Sequence, residues 1–87
     1  MTVSVTNFKS EITQNETNYK TIELKISNTI YNVLIVSGKS NYITVYKVTS
    51  NPFLTLGKQF NNFNEAIKNY KNENLKIGLL KIQSGIY

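Results

Sequence analysis

Apolar residues fall at alternate positions through the first half of the chain and at helical spacing near its end. Over residues 20–26, Ile22, Leu24 and Ile26 occupy one side of an extended segment, while Thr21, Glu23 and Lys25 occupy the other. Residues 30–36 and 42–48 are rich in β-branched and aromatic side chains, the types that pack best on a pleated sheet. Asn28-Thr29 and the cluster Ser37-Gly38-Lys39-Ser40-Asn41 separate these runs as turns. Asn51-Pro52 closes the last of them, because proline cannot donate to a central ladder. The pattern predicts a three-stranded antiparallel meander. Residues 13–18 are wholly polar and read as a loop after a short first strand whose apolar side is Val3, Val5 and Phe8.

Turn placement sets which residues share a face. A two-residue turn at Asn28-Thr29 pairs Ser27 with Ile30 and brings Tyr31, Val33 and Ile35 to the face of Ile22, Leu24 and Ile26. Pairing Ser37 with Tyr42 adds Thr44, Tyr46 and Val48 to that face. The opposite face then gathers Ile30, Leu34, Val36, Ile43 and Val45 among Glu23, Lys25, Asn32 and Lys47. It is too apolar to stand bare in water, so a cover is expected: the N-terminal strand, a second subunit or a partner. Leu34, Val36, Ile43 and Val45 are the interface residues this register implies.

Residues 53–60 bridge to the C-terminal region, with room for a short strand. Asn62 is placed as an N-cap with Glu65 three residues on, in the capping-box arrangement. Phe63, Ala66, Ile67 and Tyr70 then form a helical core stripe, with Lys68 and Lys71 off it. The phase slips at Asn72-Glu73-Asn74. A second helix capped by Asn74 carries Leu75, Leu79 and Ile82; a final strand is the alternative for residues 75–83, since Leu75, Ile77 and Leu79 also alternate. Ser84-Gly85 ends it, with Ile86-Tyr87 as a tail. The expected fold is one α+β domain over residues 1–87: an N-terminal strand and polar loop (1–18), an antiparallel sheet of three to four strands (19–60), and one or two helices (62–83) packed on one face.

Composition narrows the function. Cysteine, histidine and aspartate are all absent, which removes disulfides, thiol nucleophiles, the usual general base and most zinc-ligand sets. The five glutamates share no metal-site or glycosidase spacing, and Gly57-Lys58 lacks the rest of a phosphate-binding loop. A non-enzymatic protein without metal or cofactor is the expectation. The longest apolar stretch is four residues, Val33 to Val36, against the roughly 20 that span a bilayer. With no leader visible at the start, a cytoplasmic protein is expected, in the host cytoplasm if viral.

Ten lysines oppose five glutamates, and within residues 17–60 five lysines face Glu23 alone. A net charge of +5 favours polyanions, although the 13 asparagines also fit an AT-rich genome, in which lysine is a default. Arginine, the residue for bidentate reading of guanine edges, is missing, so any nucleic-acid binding should be weakly sequence-specific. Lysines interleaved with tyrosines supply phosphate neutralisation and stacking. Lys20, Lys25, Lys39, Tyr42, Lys47 and Lys58 are the candidate contacts, with Lys25 and Lys47 expected on one face as a basic track.

The order of sheet (residues 20–49), Gly57-Lys58 and capped helix (residues 62–71) resembles, at the level of architecture, the PC4-like single-strand-binding proteins. That resemblance implies a homodimer that binds single-stranded nucleic acid. In composition the chain also resembles small proteins that phages and other mobile elements encode. The alternative readings are accordingly an inhibitor that engages a host or defence protein through a sheet face or edge, or an assembly component of a virus.

Overall fold

The computed structural model describes residues 3–48 and 57–85. It is an α+β fold: a single five-stranded antiparallel sheet in simple meander order, followed by two helices on one face. The strands are β1 (Val3–Gln14), β2 (Thr17–Ile26), β3 (Thr29–Gly38), β4 (Tyr42–Lys47) and β5 (Gly57–Phe60); the helices are α1 (Phe63–Asn69) and α2 (Glu73–Gln83). The expected strand end at Asn51-Pro52, the start of the bridging segment at Phe53 and the tail at Ile86-Tyr87 lie outside the described residues.

The polar run at 13–18 is not a loop. It is the tip of a long hairpin whose turn residues Asn15 and Glu16 both adopt positive φ, 52° and 61°, as the tightest hairpin turns require. Gln14 and Thr13 pair with Thr17 and Asn18. The Asn18 amide donates to Glu11 Oε2 at 2.9 Å and to Thr13 Oγ1 at 3.1 Å, so polar side chains hold strands that no apolar alternation marks. β1 therefore extends the sheet edge-on and does not cover its second face. It breaks register twice, between Val5 and Asn7 and between Phe8 and Ser10, bulges that discourage edge-to-edge addition.

The β2–β3 turn is Ser27-Asn28, one residue earlier than expected, because Ser27 takes the positive φ (54°) and Ile26 pairs with Thr29. The ladder slides by two, so Tyr31, Val33 and Ile35 keep the face of Ile22 and Leu24. The β3–β4 pairing is Val36 with Tyr42, an odd slip from the expected Ser37 with Tyr42, and it turns β4 over. Ile43 and Val45 go into the core, while Thr44 and Tyr46 face away from the helices. Burying two aliphatic side chains in place of a threonine and a tyrosine is the favoured outcome of that choice. The loop is closed by Asn41, whose amide donates to Gly38 O at 3.0 Å and whose oxygen accepts from Gly38 N at 3.3 Å.

The helices begin on asparagine caps. Asn62 accepts from Glu65 N at 2.9 Å, and the Glu65 carboxylate accepts from Asn61 N at 3.2 Å. The second cap is Asn72, not Asn74: its side chain accepts from Asn74 N and Leu75 N, so α2 starts two residues early. Residues 75–83 are helical. The core joins Ile22, Leu24, Val33, Ile43 and Val45 of the sheet to Ala66, Leu75, Leu79 and Ile82 of the helices.

Candidate functional site

The sheet has two unlike surfaces. Away from the helices, Cα register aligns Ile12, Tyr19, Val36 and Tyr42 in one row across β1 to β4, and Ser10, Thr21, Leu34, Thr44 and Gln59 in the next. A third row carries Glu23, Asn32, Tyr46 and Gly57, with Lys25 and Ile30 beyond it. Ile12 is 60% exposed, whereas Val36, between the two tyrosines, is 2% exposed. Lys9 reaches this face from the second bulge and pairs with Glu23 at 3.8 Å.

The six expected contact residues do not converge. Lys25 and Tyr42 lie on this open face, whereas Lys20, Lys47 and Lys58 belong to the helix-side rows of the sheet. Lys39 sits in the β3–β4 turn, 3.7 Å from Glu16. Lys20 Nζ lies 5.9 Å from the centre of the Phe8 ring. Lys25 and Lys47 are on opposite faces, so they form no shared track; the one-residue slip in β4 separates them. Of the expected interface residues, Leu34 and Val36 are on the open face, and Ile43 and Val45 are core.

A different lysine–tyrosine cluster does assemble on the helix side. Lys58 Nζ lies 5.9 Å from the centre of the Tyr70 ring, within cation–π range. That ring also packs edge-on against Phe60 at 5.6 Å, which fixes its position. Lys47 is the direct cross-strand partner of Tyr31. It is diagonal to Lys58 on the same face, about 7–8 Å away in a regular ladder. Tyr31 lies close enough to Tyr70 to act on its ionisation: burial first, and then Tyr31, push the Tyr70 phenol above its ordinary value, which keeps it a protonated donor. Lys71 follows Tyr70 directly, and Lys68 lies in the last turn of α1.

Lys47, Lys58, Lys68 and Lys71 are exposed. None takes part in an ion pair among the described residues, unlike Lys9, Lys39 and Lys76, which pair with Glu23, Glu16 and Glu73. Sequence reasoning placed Tyr31 and Tyr70 in the core and left Lys68 and Lys71 as off-stripe residues. Two lysines bracket Tyr70 in the sequence, but the contact with Lys58 on β5 leaves no local signal. Among the described residues no group of acidic side chains is arranged to hold a metal ion, and no helix is long and apolar enough to cross a membrane. Neither a protein-family model, nor a curated protein, nor a solved structure matches the chain.

Proposed function

We propose that the protein binds nucleic acid, preferring single strands and discriminating little between sequences, through Lys47, Lys58, Lys68 and Lys71 around Tyr31 and Tyr70. The observation that carries this reading is exposed Lys58 over the Tyr70 ring with exposed Lys47 across the ladder from Tyr31 on the same face, neither lysine in an ion pair among the described residues. Lysine ammonium groups neutralise phosphates as point charges, without fixing the base beside them. Tyrosine rims offer stacking and hydroxyl donors to unpaired bases. The lack of arginine agrees with weak base discrimination.

Fluorescence anisotropy with a labelled oligothymidine tests it. If the four lysines each meet a phosphate, log K should fall against log salt with a slope of about −3 for a single strand. Lys47→Glu with Lys58→Glu should reduce both affinity and slope. Lys39→Glu with Lys81→Glu changes net charge equally and should leave most of the binding. No binding at low salt, salt-independent binding, or equal loss in the two double variants would remove the proposal.

A further inference from the structure

The open sheet face points to a second copy of this chain, and we infer that the protein is a homodimer built face to face about a two-fold axis running along β3. This is separate from the nucleic-acid reading, because the lysine–tyrosine cluster lies on the other side of the sheet and stays outside the dimer.

β3 is the middle strand of five, so rotation about its direction lays β2 of one copy over β4 of the other and leaves β3 on itself. The register supplies the pairings. Tyr19 and Tyr42 occupy the same row on either side of Val36, so each tyrosine meets the other copy's opposite one. Thr21 and Thr44 flank Leu34 in the same way, and Glu23 and Tyr46 flank Asn32. The match is aromatic on aromatic, hydroxyl on hydroxyl, and carboxylate on phenol donor. The three charged residues of the face, Lys9, Glu23 and Lys25, all lie on the β1–β2 side. Under this rotation they meet the β4–β5 side, whose described residues on that face are uncharged, so no like charges confront each other.

Under this rotation β3 lies on itself, β4 over part of β2 and β5 over part of β1; at about 4.8 Å spacing and 3.3 Å rise the overlapping plane is roughly 480 Å², to which side-chain relief adds accessible surface. A stable interface buries about 800 Å² of accessible surface per partner.

The test is sedimentation of the full chain across a concentration series, with circular dichroism as the check on folding. The wild type should reach twice the 9.9 kDa chain mass. Leu34→Asp and Leu34→Lys each place like charges across the axis, and each should raise the dimer dissociation constant by about 100-fold or more. Mixing the two variants in equal amounts should restore a dimer, because only an on-axis residue meets itself. For a readout that needs no variant, diluting the wild type should shift the amide resonances of Tyr19, Leu34 and Tyr42 and leave those of α2 in place. A monomer at every concentration, a dimer indifferent to Leu34→Asp, variants that do not recombine, or dilution shifts confined to the helices would each overturn the inference.

Discussion

Gly78 sets α2 directly against Leu24 of β2. A methyl group built on it would lie 2.6 Å from both Leu24 Cδ atoms and 3.1 Å from Leu24 Cγ. Leu24 is 0% exposed and packed on all sides, so it has little room to retreat. Two opposing effects then set the stability of Gly78→Ala. Alanine in a helix interior gains about 1 kcal/mol over glycine. Overpacking a filled core costs about 1–3 kcal/mol. The clash wins, and the variant should be destabilised by about 1 kcal/mol, a fall of roughly 4–8 °C in Tm for a domain of this size. Shortening the obstruction reverses the sign. Leu24→Ala alone should cost about 2–5 kcal/mol. In that background Gly78→Ala enters vacated space and should stabilise by up to about 1 kcal/mol, because only the helix propensity remains. The coupling between the two sites is therefore about 2 kcal/mol. Urea unfolding of the four proteins at one fixed protein concentration measures it. If Gly78→Ala has the same effect in both backgrounds to within about 0.5 kcal/mol, then α2 does not seat on β2 through this contact.

The other expectations test separate parts of the fold. Gly38 has φ of +128°, and a Cβ there would run into the Glu16 carbonyl oxygen, so Gly38→Ala should cost about 2–4 kcal/mol in urea unfolding. An effect under 1 kcal/mol, on the scale of an ordinary surface change, would place the two hairpin tips further apart. Tyr70 ionises more readily unfolded than folded, because its folded value is raised from the ordinary 10.0. Its contribution is complete below pH 10 and is lost as pH climbs from there through the raised value. Tyr70→Phe should therefore flatten the fall in stability above pH 10, and alkaline melts of the two proteins that stay parallel would refute the assignment.

The sequence revealed those parts of the molecule in which burial leaves a periodic trace. Ile22, Leu24 and Ile26 alternate because one side of β2 is sealed by helices, and Phe63, Ala66, Ile67 and Tyr70 repeat at helical spacing because α1 packs through them. The β1–β2 hairpin was hidden because its tip is polar on both faces and held by side-chain bonds from Asn18. The face of β4 was misread by one residue. Either turn position was compatible with the loop composition, and the deciding difference was burial of Ile43 and Val45 against Thr44 and Tyr46. That single slip also undid the expected basic track, since it carried Lys47 to the helix side. The cluster that did form depends on Tyr70 at the end of α1 reaching Lys58 on β5, a long-range contact that local patterning does not encode.

Under the proposed function, nucleic acid meets the helix side of the sheet and not its open face. Amide chemical-shift mapping during titration with oligothymidine at low salt tests it directly. Shifts should concentrate at residues 45–47, 58–60 and 68–71, with Tyr19, Leu34 and Tyr42 unmoved. Shifts centred on Tyr19, Leu34 and Tyr42, with the residues around Tyr70 silent, would contradict it.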